Sequence, residues 1–337
     1  MDIRAAIADL TAHRDLSAAD MEAVVRAIMA GEATHAQTAA LLVALRMKGE
    51  RVEEIVGAAR AMRRHATPVP VAGDVLDTCG TGGDLRGTFN ISTAAALIAA
   101  GAGLRIAKHG NRAMSGAVGG ADVLEALGVR LDLDAARVAA CIETVGVGFL
   151  FAQAFHPAMK HVAPIRREIG VRTLFNLLGP LTNPAGAKRQ VLGVFGREWV
   201  EPLAHALGGL GSQRALVVHG EDGLDELSLT GPSWVAELRD GRVHTSRFTP
   251  AEAGLTPCGP EDLRGGDAAH NAAILRAIVE NRASAAQRDI ALLNAGAALY
   301  VAGAAARIAA GVELARTALD NGAAARTLDA LIEFTSR

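Results

Sequence analysis

The sequence predicts an α/β protein built from a small all-helical domain and a larger α/β domain with a central mixed or parallel sheet. Residues 1–66 carry only the apolar periodicity of helices. After Pro68-Val-Pro70, short apolar strands begin to alternate with helices. The 337 residues are 50% hydrophobic, which is enough for a sizeable core. We therefore expect a helical domain over residues 1–70 and an α/β domain over residues 71–337.

The helical domain is expected to contain three short amphipathic helices. Ser17 precedes an apolar-periodic run that stops at Gly31, and Thr34-His-Ala-Gln37 has the spacing of a capping box that starts a second helix. A third helix follows from Val52. Three short helices cannot bury their apolar stripes alone, so we expect them to pack on helices from about residues 165–185 or on a second copy of the chain. The second arrangement predicts a homodimer.

The α/β domain follows as alternating strands and helices. The expected strands are Val75–Asp77, Leu104–Lys108, Val147–Phe151, Gln190–Phe195 and Ala215–His219. The expected helices are Ile91–Ala102, Ala121–Leu127, Ala272–Arg282 and Asp289–Ala309. In a largely parallel sheet covered on both faces, ligands bind at the carboxyl ends of the strands. Candidate functional residues are therefore sought in the loops that follow the strands.

Composition and charge exclude several classes of protein. The net charge of -2, the pI near 6.6 and the 3% aromatic content are unlike a nucleic-acid-binding surface. The apolar run Ile91–Leu104 is too short to cross a membrane. Cys79, Cys141 and Cys258 are odd in number and far apart, which indicates reduced thiols rather than disulfides or a zinc site. The sequence predicts a cytoplasmic protein with small-molecule ligands and with no nucleic-acid or membrane partner.

A glycine-rich loop, Asp77-Thr-Cys-Gly-Thr-Gly-Gly-Asp84, follows the first expected strand. Its backbone N–H groups can surround an anion, and phosphate is the first candidate. A dinucleotide fingerprint would need glycine in place of Leu85, and no Gly-Lys-Ser/Thr follows for a P-loop. A plain tight turn is the alternative. Asp84 favours a ligand site, because an acid in an anion loop suits a bound cation or a ribose hydroxyl.

Two further segments place polar groups at strand ends. Asn90-Ile-Ser-Thr93 supplies candidate N-caps, where hydroxyl, N–H and helix dipole together can hold phosphate. Lys108-His-Gly-Asn-Arg112 follows a strand, and Lys108 is one of only four lysines among 34 Lys and Arg residues. A compact ammonium suits a phosphate oxygen. The alternatives are a simple helix cap, a solvated lysine and an ordinary hydrogen-bonded histidine.

Acidic and basic side chains complete the set of candidates. In Asp222-Gly-Leu-Asp-Glu226, adjacent carboxylates on a loop can converge, and Mg²⁺ takes such oxygen ligands beside a phosphate. A hydrated acidic loop is the alternative. Arg166 follows Pro164 in a segment that we expect to be a loop, where its guanidinium can face a carboxylate or solvent. His156 and His161 are five residues apart, so they do not share the helical face that a zinc pair needs.

Together and in this order, the loops resemble the anthranilate phosphoribosyltransferase family. The matching segments are Gly80-Thr-Gly-Gly-Asp84, Asn90-Ile-Ser-Thr93, Lys108-His-Gly-Asn-Arg112, the Arg166 segment, Asn176–Pro184 and Gly223-Leu-Asp-Glu-Leu-Ser228. The resemblance covers nearly the whole chain. It implies a nucleoside phosphorylase-like phosphoribosyltransferase fold, commonly as a homodimer. It also implies transfer of phosphoribose from 5-phosphoribosyl 1-diphosphate (PRPP) to the amine of anthranilate, in tryptophan biosynthesis.

The resemblance further implies roles for individual residues. The catalytic residues would be Lys108, His109, Asp225 and Glu226. The PRPP site would be lined by Gly80, Gly83, Asp84, Thr88, Asn90, Ile91, Ser92, Thr93, Lys108, His109, Gly110, Asn111, Arg112, Ser115, Gly116 and Gly120. Anthranilate would be bound by Gly80, Asn111 and Arg166, and Mg²⁺ by Ser92, Asp225 and Glu226.

Such a reaction depends mainly on stabilising a leaving diphosphate. Displacement at the anomeric carbon builds positive charge on the ribose while diphosphate leaves, so Mg²⁺, Lys108 and loop N–H groups are expected to contribute most. The aromatic amine of anthranilate is already a free base at neutral pH. No strong general base is therefore expected in the sequence.

The loop after Arg112 departs from the family pattern. Ala117, Val118 and Gly120 stand where the family usually has Lys, Ser and Ser. We therefore expect weaker binding of the phosphoribosyl donor, and a paralogue with altered donor affinity is one alternative function. A pyrimidine nucleoside phosphorylase-like enzyme is the other. The pair Asp225-Glu226 favours a Mg-diphosphate substrate over the free phosphate that such a phosphorylase uses.

Overall fold

The computed structural model describes residues 1–113 and 118–337, and its architecture confirms the expected fold class. Four helices come first: α1 at Ile3–Thr11, α2 at Ala18–Met29, α3 at His35–Lys48 and α4 at Val52–His65. Helix α1 was not among the three expected helices. It begins after Asp2, whose carboxylate accepts a hydrogen bond from the N–H of Arg4 at 2.8 Å. The expected capping box of α3 is confirmed, with both hydrogen bonds between Thr34 and Gln37 present.

The α/β domain supplies the remaining elements. Its strands are β1 at Leu76–Gly80, β2 at Ile106–Gly110, β3 at Val147–Phe151, β4 at Arg189–Gly193, β5 at Arg214–Gly220, β6 at Ser233–Arg239 and β7 at Arg242–Phe248. Its helices are α5 at Ile91–Gly101, α6 at Gly120–Ala126, α7 at Ala135–Val145, α8 at Ala152–Phe155, α9 at Ala163–Ile169, α10 at Phe175–Leu178, α11 at Val200–Gly209, α12 at Ala268–Val279, α13 at Ala285–Ala302, α14 at Ile308–Asp320 and α15 at Ala323–Ser336.

The strands form one mixed sheet in the order β3-β2-β1-β4-β5-β6-β7. Strands β1 to β5 run parallel, whereas β6 and β7 form an antiparallel hairpin at one edge. The carboxyl ends of β1, β2, β4 and β5 therefore meet at one edge of the sheet, and the candidate loops follow these ends. The hairpin was not expected from the sequence.

Both faces of the sheet are covered by apolar side chains. Alternate residues of a strand point to opposite faces, so Val191 packs with α5 and α12–α15, while Leu192 packs with α11 and the N-terminal helices. Leu174, Leu177 and Leu178 belong to the same cluster as the N-terminal helices. The helical part of the chain thus shares one core with one face of the sheet.

Two expectations about local structure were wrong. The stretch expected as one helix over Asp289–Ala309 is two helices, because the chain turns at Gly303 with a φ of 84°. Arg166 lies on helix α9 rather than in a loop. Pro164 occupies the first turn of α9, where its missing N–H breaks no hydrogen bond.

The helices of the described ranges, 1–113 and 118–337, also bear on membrane insertion. None of them combines the length and the hydropathy that a transmembrane span requires.

Candidate active site

The acidic loop lies directly on the glycine-rich loop. One carboxylate oxygen of Asp225 accepts a hydrogen bond from the N–H of Gly82 at 2.9 Å. A Cβ atom on Gly80 would lie 2.6 Å from that oxygen. A Cβ on Gly193, at the end of β4, would lie 1.6 Å from the backbone oxygen of Asp225. Position 193 therefore requires glycine, and a side chain at position 80 would displace the carboxylate of Asp225. Gly193 was not found from the sequence, because nothing local distinguishes it from any glycine that ends a strand.

Lys108 lies on β2 beneath the same loops and is only 5% exposed. Its ammonium donates hydrogen bonds to the carbonyl of Thr78 and to the hydroxyl of Ser92, the latter at 3.1 Å. Burial lowers the pKa of Lys108, while the neighbouring acids Asp77, Glu226 and Asp225 act in the opposite direction. Ser92, the second residue of α5, thus meets Lys108 as expected for a shared site.

The carboxylates of Asp225 and Glu226 are held in an unfavourable environment for negative charge. Burial raises the pKa of Asp225 well above its usual value, and repulsion by Asp84 and Glu226 adds to this effect. Burial raises the pKa of Glu226 to about 7, against the opposing influence of Lys108 and of hydrogen bonds from Ser92. Asp84, Asp225 and Glu226 therefore lie close together, and Lys108 is the cation that offsets the charge of Glu226.

This donor set fits Mg²⁺. In the described part of the chain, no group of three or more His, Cys, Asp or Glu side chains forms a complete metal cage. Mg²⁺ seldom needs one, because it keeps several waters and binds through one or two carboxylates together with substrate phosphates. Asp225, Glu226 and the hydroxyl of Ser92 supply oxygen ligands of that kind, and a bound cation would relieve the repulsion between the two carboxylates.

A second group of side chains lies on the other side of β2. His109 is 5% exposed, and its Nδ1 lies 3.1 Å from the carbonyl oxygen of Gly179. Its Nε2 lies 3.2 Å from Nε2 of His156. Burial lowers the pKa of His109 to about 3 and that of His156 to about 4. Both rings are therefore neutral at pH 7. Since a carbonyl only accepts, Nδ1 of His109 carries the proton and Nε2 is an acceptor.

His156 is a residue whose place in this group was not expected. From the sequence it was considered only as a zinc partner for His161, and that role was rejected. His109 and His156 are 47 positions apart in the sequence, and no sequence pattern indicates their contact. The contact arises because His156 follows α8 at the end of the neighbouring strand β3.

Arg166 and Asn111 are the expected acceptor residues. The guanidinium of Arg166 lies 5.9 Å from the centre of the Phe175 ring, and burial lowers its pKa. It has no carboxylate partner among the ion pairs of the described residues. The side-chain oxygen of Asn111 accepts a hydrogen bond from Gln153 at 3.3 Å. An unpaired, partly buried guanidinium is suited to bind an anionic ligand.

The remaining donor-site candidates divide into two groups. Asn90 is the N-cap of α5 by position, but its amide donates to the carbonyl of Val118 at 3.1 Å instead of capping the helix. The hydroxyl of Thr93 is buried without a hydrogen-bond partner in the described structure, and a Cβ on Gly120 would lie 3.5 Å from it. These residues therefore converge near the start of α5.

Arg112 and Thr88 are directed elsewhere. The guanidinium of Arg112 forms ion pairs with Asp122, at 3.1 Å, and with Glu125, and these hydrogen bonds raise its pKa. Thr88 forms an isolated bridge with Arg264. The expected donor residues Ser115 and Gly116, together with the altered position Ala117, lie outside the described residues.

The fold and the site together define a class of protein, a glycosyltransferase with a helical bundle and an α/β domain. Residues 4–66 match the glycosyl transferase family, helical bundle domain, and residues 72–325 match the glycosyl transferase family, a/b domain. Among curated proteins, the anthranilate phosphoribosyltransferase of Thioalkalivibrio sulfidiphilus is 56% identical over 337 residues, covering 100% of this chain and 99% of the relative. That of Rubrobacter xylanophilus is 53% identical over 335 residues, covering 99% and 98%. The chain belongs to the anthranilate phosphoribosyltransferase family.

Solved structures agree with this assignment. The crystal structure of anthranilate phosphoribosyltransferase from Thermus thermophilus superposes with a TM-score of 0.94 at 48% identity, covering 98% of this chain and 99% of that one. The Saccharomyces cerevisiae enzyme in complex with PRPP and Mg has a TM-score of 0.91 at 28% identity, covering 99% and 98%. The fold of this chain is therefore that of the family over its full length.

Proposed function

We propose that the chain transfers the 5-phosphoribosyl group of PRPP to the amine of anthranilate, giving N-(5-phosphoribosyl)anthranilate and diphosphate, in L-tryptophan biosynthesis. The observation that carries the proposal is the contact between the acidic loop and the glycine-rich loop beside Lys108. Buried acids for a cation, an ammonium and loop N–H groups at one sheet edge match a Mg-diphosphate substrate. The names of the relatives support the same reaction.

The donor is proposed to bind across the carboxyl ends of β1, β2 and β5. Loop N–H groups at Gly80–Gly83 and the start of α5 would hold phosphate oxygens, and Asp84 would face the ribose or the cation. Asp225, Glu226 and Ser92 would hold Mg²⁺. When bound, Mg²⁺ supplies positive charge that stabilises the leaving diphosphate.

Anthranilate is proposed to bind beside His109. The guanidinium of Arg166 would pair with the anthranilate carboxylate, with Gly80 and Asn111 completing the acceptor site. Because His109 and His156 are neutral, they add no positive charge near the attacking amine, and they orient the ring by contact and hydrogen bonding. Lys108 stabilises negative charge that develops on the leaving diphosphate.

The chain requires no strong general base for this reaction. The amine of anthranilate is unprotonated at pH 7, so its lone pair is available for attack without prior proton removal. Exclusion of water matters more, because hydrolysis of PRPP competes with transfer. The buried positions of Lys108, His109 and Glu226 support a site in which water is scarce.

A simple assay tests the proposal. Purified protein is mixed with PRPP, Mg²⁺ and anthranilate, and the loss of anthranilate fluorescence is followed with time. Loss that depends on all three components is expected. Phosphate-dependent cleavage of a pyrimidine nucleoside, without anthranilate turnover, would instead support the phosphorylase alternative.

The combined substitution Asp225→Asn and Glu226→Gln tests the cation site. We expect turnover to fall by at least about a hundredfold, because the charge that stabilises the leaving group is lost. Glu221→Gln is the matched control, since Glu221 lies in the same loop region but pairs with Arg247. A double variant with wild-type turnover and wild-type Mg²⁺ dependence would show that the cation binds elsewhere.

The domain limits and the assembly are also proposals. We propose a helical domain over residues 1–70, completed by helices from about 165–185, and an α/β domain over residues 71–337. The shared apolar cluster of the N-terminal helices with Leu174–Leu181 supports this division. A homodimer through the helical domain is proposed because Val43 and Met47 are exposed one turn apart on α3. A cytoplasmic location is supported by three cysteines that remain free thiols.

A further inference from the structure

The two strands that carry the site residues separate from each other after a single register pair. Strands β1 and β2 pair in parallel only at Leu76 and Ile106 among the described residues. In contrast, β1 pairs with β4 along its whole length, and β2 does the same with β3. The sheet is therefore open between β1 and β2, at the ends from which the glycine-rich loop and the Lys108 segment leave.

Beyond Leu76 and Ile106, side chains form the hydrogen bonds that the next rung of the β1–β2 ladder would have formed between backbone groups. In a regular parallel ladder that continues from Leu76 and Ile106, the N–H of His109 would donate to the carbonyl of Thr78, and the carbonyl of Ala107 would accept from β1. Instead, a carboxylate oxygen of Asp77 accepts the N–H of His109 at 3.1 Å. The amide of Asn183 donates to the carbonyl of Ala107 at 2.8 Å.

The third group of this rung accepts a hydrogen bond from Lys108. The carbonyl of Thr78 accepts a hydrogen bond from the ammonium of Lys108. The ammonium can reach this carbonyl because no backbone N–H of β2 donates to it. From that position Lys108 also reaches the hydroxyl of Ser92 at 3.1 Å. The gap between the strands thus determines where the ammonium lies.

Asp77 and Asn183 hold this gap open as a pair. The second carboxylate oxygen of Asp77 accepts the amide of Asn183 at 2.8 Å, and the side-chain oxygen of Asn183 accepts the N–H of Ala185 at 2.9 Å. Asp77 is 0% exposed and Asn183 is 6% exposed. Burial raises the pKa of Asp77 to about 6, which shows that its ionised form is destabilised at this position.

We propose that Asp77, together with Asn183, is a positioning residue of the phosphoribosyl transfer, which keeps β1 and β2 apart and thereby sets Lys108 and His109 in their working positions. The inference rests on the proposed function for the reaction itself. Asp77 is 0% exposed, so its carboxylate is not open to a ligand. It acts through the backbone of His109, whose ring is held at its other end by the carbonyl of Gly179.

The substitution Asp77→Asn tests this role. Asp77 accepts two hydrogen bonds, one on each carboxylate oxygen. Asparagine offers one oxygen as an acceptor and one NH₂ group as a donor. Its NH₂ group would therefore face another donor, either the N–H of His109 or the amide of Asn183. We expect kcat to fall about ten- to hundredfold with smaller changes in both KM values, because misplaced groups lose their interactions mainly in the transition state.

The exchange of Asp77→Asn together with Asn183→Asp provides the rescue. The amide introduced on β1 would donate to the carboxylate introduced at position 183 and would still accept the N–H of His109. The contact between the two side chains is thereby restored, whereas the hydrogen bond from position 183 to the carbonyl of Ala107 is lost. We expect kcat of the exchanged protein to exceed that of Asn183→Asp alone, which lacks the same bond to Ala107 and places two carboxylates against each other. A folded Asp77→Asn protein with wild-type kcat, or an exchange no better than Asn183→Asp alone, would overturn the proposal.

Stability is separated from positioning by two further variants. Thr335→Val removes the hydroxyl that accepts the N–H of Arg130. Thr335 is buried, as Asp77 is, but it is not among the site residues. This variant is expected to lower the melting temperature and to leave kcat unchanged. If Asp77→Asn does not fold, Asn183→Ala replaces it, since this variant keeps the bond between Asp77 and His109. A folded Asn183→Ala protein with wild-type kcat would equally contradict the proposal.

A spectroscopic measurement separates failure of this inference from failure of the proposed function. The chain has 10 His, so protein labelled with ¹⁵N-histidine gives few amide signals. The amide proton of His109, which donates to a carboxylate, should move upfield in Asp77→Asn, where the acceptor is a neutral amide oxygen. If the wild type lacks transferase activity but this shift is seen, only the reaction assignment fails. An unmoved His109 signal would refute the role of Asp77 whatever the reaction.

Discussion

At the scale of single residues, the site is defined by burial as much as by charge. Lys108 is 5% exposed and Glu226 is 8% exposed. The pKa of Lys108 is lowered and that of Glu226 is raised, and both shifts favour the neutral form of the side chain. Opposite charges buried together offset each other, and removing one leaves the other without a partner. Substitutions in this pocket therefore affect neighbours as strongly as the residue that is changed.

Arg166→Ala is expected to raise the KM for anthranilate about ten- to hundredfold, because a charged hydrogen bond contributes about 1.5–3 kcal/mol. The KM for PRPP should stay near its wild-type value. Steady-state kinetics with each substrate varied in turn measures both constants. Arg167→Ala, an exposed neighbour on α9, is the control. An unchanged anthranilate KM in Arg166→Ala would remove Arg166 from the acceptor site.

The buried histidines contribute a loss of stability in mild acid. The pKa values of His109 and His156 lie near 3 and 4 when folded, against about 6.5 when unfolded, so the unfolded chain binds more protons below pH 6.5. Each histidine should cost about 1–2 kcal/mol of stability between pH 8 and pH 5. The acids Asp77, Asp225 and Glu226, whose pKa values are raised, contribute in the opposite direction in the same range.

Denaturant unfolding at several pH values isolates the histidine contribution. A double variant, His109→Asn with His156→Asn, should gain stability relative to the wild type as the pH falls from 8 to 5. The exposed His244 on β7 provides a control, since His244→Asn should leave the pH dependence as it is in the wild type. Equal slopes for the wild type and the double variant would contradict the burial argument.

At the scale of elements, helices pack closely through glycine rather than through large apolar side chains. Gly296 on α13 faces Gly311 on α14, and a Cβ on Gly311 would lie 2.2 Å from the backbone oxygen of Gly296. Gly57 on α4 has the same role against α2, where a Cβ would lie 2.3 Å from the oxygen of Ala18. With 3% aromatic residues, the core depends on such short distances between helix backbones.

Gly311→Ala should therefore destabilise the fold by about 1–3 kcal/mol, because backbone rather than a flexible side chain must move. This loss exceeds the gain of up to about 1 kcal/mol that alanine brings to a helix. The free energy of unfolding in urea measures the difference. At Gly231, a Cβ would meet no described atom within 4 Å, so Gly231→Ala should change stability little. A Gly311→Ala protein as stable as the wild type would mean that α13 and α14 can separate freely.

The parallel strands and the helical start were predictable from sequence because apolar runs and capping residues mark them directly. The hairpin of β6 and β7 was not, since β7 lies at the sheet edge and five of its seven residues are exposed, so it lacks an apolar pattern. Helix α9 was taken for a loop because it has only seven residues and a proline in its first turn. Short elements held by tertiary contacts leave little local signal.

At the scale of the whole molecule, the order of the loops along the chain was predictable from sequence, but the distances between residues on different strands were not. Sequence placed Gly80–Asp84, Lys108 and Asp225-Glu226 at strand ends, and the parallel sheet brings those ends together. The contact of His109 with His156, and the requirement for glycine at position 193, depend on distances between strands. No periodicity in the chain reports such distances, so this part of the site emerged only from the structure.

The exposed apolar residues of α3 provide a test of the proposed homodimer. Met47 is 77% exposed and Val43 is 37% exposed. Met47→Glu should weaken self-association, because it places a charge in an apolar contact. Sedimentation velocity over a range of concentrations measures the change. Leu314→Glu, at a residue that is 42% exposed on α14, should leave association unaffected. A wild-type protein that stays monomeric at every concentration would exclude the dimer.

The hydrogen bond between Gly82 and Asp225 has a consequence for the thermodynamics of donor binding. The loop N–H that would serve a phosphate oxygen is already satisfied by a carboxylate at 2.9 Å. Donor binding would then exchange one anionic acceptor for another rather than add a new hydrogen bond. The enthalpy of binding should accordingly be smaller than the number of donor contacts suggests, with much of the affinity arising from water and ions released on binding.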